Sequence, residues 1–164
     1  MDTAHVESAD GGWNWLYKVG GIAALIIAVC IPIQIIVYMA WPPPTTVMGY
    51  FTLFQNNKLL GLLDLDLLIV TDTTLGIPVL LGLYVALKRA NPSFMAIALA
   101  LGLVATVSYF ASNTSFNMLA LSDQYAAATT EAQRSTALAA GQAMLAIYNG
   151  TAFHMNYILG AISL

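Results

Sequence analysis

Charge is what this chain has least of. Of its 164 residues, five are Lys or Arg and eight are Asp or Glu, 8% in all, where a soluble domain carries roughly 25%. A shortfall of that size excludes a surface that is mostly wetted. Together with a formal net charge of −3, it also excludes a basic face for nucleic acid. The single cysteine, Cys30, has no partner for an intrachain disulfide and reads as a small packing residue. Histidine occurs only as His5, in the N-terminal tail, and His154, near the end. The chain has no His-x-x-x-His or Cys-x-x-Cys ligand pair, no phosphate-cradling glycine loop and no nucleophile elbow. Catalysis has no motif to rest on, no metal is indicated and no cofactor is named. A secretory signal needs a basic start, whereas residues 1–18 carry Asp2, Glu7 and Asp10 against Lys18 alone.

What fills the chain instead is apolar: 59% of residues are hydrophobic, and the mean hydropathy is +0.77. A bilayer core needs about 20 such residues in a row. The pattern predicts an all-α, multi-pass transmembrane helix bundle in residues 19–164, following a polar and aromatic tail and anchor in residues 1–18. Trp13, Trp15 and Tyr17 are the anchor, as amphipathic rings that settle at headgroup level. Four spans are expected, over about residues 19–41, 67–88, 94–112 and 138–164. The first is uncharged, is kinked by Pro32, and ends at Pro42-Pro43-Pro44, which forbids helix. Gln34, one turn from its exit, is placed to bond to a neighbouring helix. Pro92 suits the first turn of the third span, in which Ala98, Gly102 and Thr106 form a small-residue packing face.

Two short interfacial helices complete the expected set. In residues 45–57, Val47, Tyr50, Phe51 and Phe54 fall at i, i+3, i+4 and i+7, one apolar face too short to span. The second lies in the polar stretch 113–136, around Met118, Leu119 and Leu121. Thr130 and Gln133 fit a capping box opening a last helix from about Glu131 to Leu164. On that helix Ser135, Gln142, Asn149, Asn156 and Ser163 recur every seventh residue, forming a helix-packing seam that wants to face protein rather than lipid. His154 lies off it, about 140° from Asn149 at about 100° per residue.

Three carboxylates lie in the long apolar run of residues 58–89: Asp64, Asp66 and Asp72. Each costs about 3 kcal/mol inside a bilayer, which sets the second span at 67–88. Asp64 and Asp66 are then expected near the headgroups and Asp72 about one turn inside. One reading is an intramembrane site on Asp72, solvated by Thr71, Thr73 and Thr74, with Asp64 and Asp66 at its mouth and His154 as partner. The other makes Asp64 and Asp66 solvated interfacial residues and Asp72 a hydrogen-bonded structural acid. Asp64 to Asp66 turns about 200° on a helix and Asp64 to Asp72 about 80°, so the three do not form one metal-binding face.

Several stretches resemble a bacterial family of small multi-pass membrane proteins catalogued as domain of unknown function forty-three eighty-six. They are PIQIIVY at Pro32–Tyr38, WPPPTT at Trp41–Thr46, GYFTLFQNNKLLGLLDLDLL at Gly49–Leu68, SYFASNTSFNML at Ser108–Leu119 and EAQRSTALAAGQAMLAIYNGTAFH at Glu131–His154. The resemblance implies a bacterial membrane location and assigns no activity and no site residue. Members of that family look longer, so the natural bundle is expected to extend beyond four spans.

Lys18, Lys88 and Arg89 fall on one side of this topology and Lys58 and Arg134 on the other. The positive-inside rule therefore expects a cytoplasmic N-terminus in the inner membrane. The functional expectation is an accessory or small-molecule-binding helix bundle. Its partners would be the lipid bilayer and other membrane helices, or further copies of the chain. The alternative is a small transporter, or a proton- or ion-coupled protein, using an intramembrane aspartate.

Overall fold

The computed structural model describes residues 12–163. Their apolar runs and capping residues give eight α-helices: α1 (Asn14–Ala40), α2 (Val47–Asn56), α3 (Lys58–Asp64), α4 (Leu67–Leu87), α5 (Pro92–Ser112), α6 (Ser115–Ala127), α7 (Glu131–Tyr148) and α8 (Thr151–Ser163). Side chains that satisfy orphan amides start several of them. Thr46 accepts from the Gly49 amide, Asn57 from Leu60 and Asn91 from Phe94, while Thr130 and Gln133 close the expected capping box. Among the described residues, three helical stretches are long and apolar enough to cross a membrane: α1, α4 and the stretch that opens with α5 at Pro92.

The long helices pack in the order α1–α4–α5–α8, with α1 against α4 and α5 against α8 as the broadest contacts. Small residues allow these approaches. A Cβ on Gly20 of α1 would lie 2.9 Å from the Pro78 carbonyl oxygen of α4. One on Gly102 of α5 would meet Leu80 of α4 at 2.9 Å and the Ser163 hydroxyl of α8 at 3.3 Å. Ala98, Gly102 and Thr106 are buried in this contact, as their spacing predicts.

The remaining helices form a cap at one end of the long ones. Both long connections, α2–α3 after α1 and α6–α7 after α5, return to that end. There α2 packs on α6 and α7, and α3 on α2 and α6. The cap holds the most enclosed core of the chain: Phe51, Phe54, Leu65 and Met118 are fully buried, with Val47, Tyr50 and Ala137 around them. Several of its polar groups are satisfied inside it. The Ser122 hydroxyl donates to the Phe51 carbonyl (3.0 Å) and Thr114 to the Met144 carbonyl (3.2 Å).

Three expectations change here. The apolar face Val47-Tyr50-Phe51-Phe54 exists, but it is buried by α6 and α7 rather than resting in an interface. The second short helix is α6, whose Met118 is buried in the same core. Periodicity reads an apolar face without saying what covers it.

The helix expected from Glu131 to Leu164, and with it the single span over 138–164, is two helices. α7 ends at Tyr148, where Asn149 turns its side-chain amide back onto the Leu145 carbonyl (3.1 Å) and the Gly150 amide closes on Ile147 (3.0 Å). Asn-Gly is a turn-forming pair, and it overrides the seven-residue pattern. α7 belongs to the cap, while α8, 13 residues long, runs along α5. The seam is divided accordingly, with Ser135 and Gln142 on α7, Asn149 in the break, and Asn156 and Ser163 on α8.

Candidate functional site

The cap and the long helices meet at the two-residue link between α3 and α4, Leu65-Asp66. Asp66 has φ 67° and ψ 30°, and among the described residues it is the one non-glycine residue with positive φ. Aspartate enters this left-handed region more readily than most residues. The turn reverses the chain so that the Asp66 carbonyl accepts the Val70 amide (2.8 Å) and begins α4.

Side chains from four parts of the fold grip this link. The phenols of Tyr38 on α1 and Tyr148 on α7 donate to separate oxygens of the Asp66 carboxylate. From α5, Tyr109 donates to the Asp66 carbonyl (3.4 Å), and just beyond it the Asn113 amide donates to the Leu65 carbonyl (3.2 Å). Gln34 of α1 donates to the Leu63 carbonyl (3.3 Å), the inter-helix bond expected of it.

Asp64 and Asp66, expected near the headgroups either as the mouth of a site or as solvated residues, are both buried, 2% and 3% exposed, which removes the solvated reading. The cap closes over them. Burial lifts the Asp66 carboxyl above the usual carboxylate range, against the two phenols, which hold it down. Burial also pushes Asp64 up to about 6, and its Oδ1 has no hydrogen-bond donor. Tyr50 of α2 senses both acids: burial first, then Asp64 and Asp66, raise its phenol to about 12. A second acceptor, Gln34 Oε1, is also buried without a donor.

Asp72 stands apart from this cluster. It lies within α4 on the side of Cys30 of α1, and its Oδ1 is buried without a partner. The neighbouring threonines do not solvate it as expected. Thr71 and Thr74 bond back to the Leu67 and Val70 carbonyls of their own helix (3.2 and 2.8 Å), and Thr73 makes no comparable bond. His154 is exposed on α8, edge-on to Phe153, and joins neither acid. Among the described residues no group of three His, Cys, Asp or Glu side chains converges as a metal site.

The seam residues have a different setting. Gln142 and Asn149 are exposed and, with Leu138 and Leu145, line one wall of a groove of about 560 Å3 whose other wall is Thr45-Thr46 and the start of α2. Asn156, across the break, is half-buried on α8. Comparison of the chain with family models, with curated proteins and with solved structures returned no match.

Sequence reasoning picked out Asp66 but not its partners. Tyr38 reads as an interface marker and Tyr109 as the exit of a span, while Asn113 merely follows a helix end and Tyr148 falls inside the helix expected from Glu131 to Leu164. No spacing relates Tyr148 to Asp66, 82 positions away.

Proposed function

We propose that this chain is an integral membrane protein of the accessory or ligand-binding class, whose long helices hold the cap at one membrane surface. In this reading α1, α4 and α5 cross the bilayer, and α8 enters it beside α5. The cap would lie on the side away from Lys18, Lys88 and Arg89, which the positive-inside rule makes extracytoplasmic.

The observation that carries the binding role is the groove along α7. It has a volume in the range of small-molecule sites, an apolar floor from Leu138 and Leu145, and exposed amides from Gln142 and Asn149. Asp66, by contrast, spends both carboxylate oxygens on Tyr38 and Tyr148. That use of a buried acid joins parts of a fold rather than receiving a substrate. The test is a Gln142→Trp variant, which fills the groove, compared with the parent protein for small molecules retained through purification. A molecule kept by the parent and lost by a variant of equal melting temperature supports the role. Identical retained profiles remove it.

A proton- or ion-coupled role is the second reading, favoured by the donor-less buried oxygens of Asp64 and Asp72. In sealed liposomes under an imposed pH gradient, it requires a proton flux above that of empty vesicles that Asp72→Asn reduces. Equal flux in protein-containing and empty vesicles eliminates it.

A further inference from the structure

The opposite end of the long helices carries a second constellation. Lys88 caps the C-terminus of α4, and its ammonium lies 5.0 Å from the centre of the Trp13 ring and 5.8 Å from that of Tyr84. Both rings hold the cation in place through their negative faces. Among the described residues no carboxylate pairs with it. The cations of the cap differ: Lys58 pairs with Asp123 and Arg134 with Glu131, each at 2.9 Å. Lys88 is positioned and charged, and no described carboxylate neutralises it.

Beside it is a cavity of about 410 Å3, lined by Trp13, Asn14, Tyr17, Val85, Lys88 and Arg89. The cavity joins the start of α1 to the α4–α5 turn. α1 begins there with no side-chain cap and no acidic residue in its first turn, so nothing from that turn competes for the cation. The lining side chains Asn14, Tyr17 and Lys88 can each donate, and Lys88 brings a positive charge. Its chemistry selects an anion.

We propose that this cavity binds the phosphate of an anionic phospholipid, with Lys88 as the principal counter-ion and the Asn14 amide and aromatic rings around the headgroup. The inference rests on the membrane placement proposed above. A lipid is favoured over a soluble anion because the neighbouring surface is apolar. Trp15 of α1, Leu83 and Leu87 of α4 and Phe94 of α5 are all exposed within a few residues of the lining, Trp15 by 73% and Phe94 by 64%, and acyl chains continuing from the headgroup would cover such a surface. Tryptophan and tyrosine rings settle at headgroup depth, and anionic leaflets draw juxtamembrane cations.

The test is native mass spectrometry of the purified full chain in detergent, titrated with phosphatidylglycerol and, separately, phosphatidylcholine. Selective retention of phosphatidylglycerol is expected, falling about fivefold in Lys88→Gln and unchanged in Lys18→Gln, which removes a cation at the same end but outside the cavity. Asn14→Asp guards against loss of fold: a carboxylate in the first turn favours the helix while repelling phosphate, so binding should fall as stability holds. Equal retention of the two lipids overturns the proposal, as does equal loss in Lys18→Gln and Lys88→Gln. Displacement by millimolar inorganic phosphate would make it a soluble-anion site instead. Selective binding that appears only after residues 1–11 are deleted would make the acidic tail the occupant. If the chain leaves the membrane on alkaline extraction, the membrane placement itself has failed. A chain that stays embedded but shows no lipid selectivity defeats this inference alone.

Discussion

The phenol of Tyr148, the last residue of α7, donates to the carboxylate of Asp66, the residue that opens α4. Through that bond the cap is tied to the long helices at the one place among the described residues where the backbone turns left-handed. Tyr38 completes the tie from α1, so three helices that are remote in sequence converge on one side chain.

Removing either phenol leaves part of a buried carboxylate without a donor. Tyr148→Phe should destabilise the chain by about 2 kcal/mol, in the range for a hydrogen bond to a charged group. Tyr38→Phe should do likewise, and the pair should be non-additive because the two share one acceptor. Thermal melting of the four members of the cycle in one detergent measures this. Simple additivity would mean that the phenols act independently of Asp66.

The backbone at Asp66 makes a separate prediction. Asp66→Ala and Asp66→Gly both lose the carboxylate, but only alanine resists φ 67°. The glycine variant should melt higher by an amount equivalent to about 1 kcal/mol. Equal melting would place the left-handed turn elsewhere.

Asp64 gives a pH dependence. In the folded chain its carboxyl keeps its proton to about pH 6, whereas in the unfolded chain it does so only to about 4. Between those values the folded state binds more protons, so stability falls as pH rises from about 4 to about 6. Asp66, also raised, acts in the same direction. Melting temperatures across that interval should decline in the parent and flatten in Asp64→Asn. A parent profile that climbs with pH would contradict the burial of both acids.

Gly141, on α7 in the cap, is closely packed, while Gly160, on α8, is open. A Cβ at Gly141 would stand 2.5 Å from Val47 Cγ1 and 3.0 Å from Phe51 Cζ, whereas one at Gly160 meets nothing within 4 Å. Gly141→Ala should cost about 1–3 kcal/mol through overpacking of the cap core, and Val47→Ala in the same chain should recover part of it. Gly160→Ala should be neutral or stabilising, by up to about 1 kcal/mol. Equal effects at the two positions would mean that α7 does not pack on α2.

Lys58 and Asp123 form the one described ion pair between helices distant in sequence, but both side chains are more than half exposed. Lys58→Met should change stability by no more than about 1 kcal/mol, and less at high salt. A larger loss would mark this pair as part of the cap's support.

Much of the helical plan was legible in the sequence because it depends on near neighbours. The Pro42-Pro43-Pro44 stop, Pro92 at a helix start, the Thr130–Gln133 capping box and the Ala98-Gly102-Thr106 face each concern residues within a turn or two, and all appear in the structure. The Asn149-Gly150 break is equally local, yet the seven-residue recurrence of polar residues runs across it as if the helix were continuous.

The candidate site was legible only in its acids. Hydropathy priced Asp64 and Asp66 against lipid and placed them outside a span, as the start of α4 at Leu67 agrees. It had no term for a cap of protein folding over them. His154 and Asp72 were paired as the few ionisable groups in apolar surroundings, yet α8 packs on α5 while Asp72 faces α1.

By itself, then, the sequence determined composition-level and local facts: helices throughout the described residues, the long apolar runs of the first three expected spans, and where most helices begin and end, but not the break that divides the expected fourth span. Those follow from hydropathy and from hydrogen bonds closed within four residues. Which faces meet was decided only by the tertiary structure. Burial of Phe51 and Phe54 in the cap, the grip of Tyr38 and Tyr148 on Asp66, and the ring-held position of Lys88 all join segments tens of residues apart. Such contacts depend on the whole chain returning to one place, and no local pattern encodes that return.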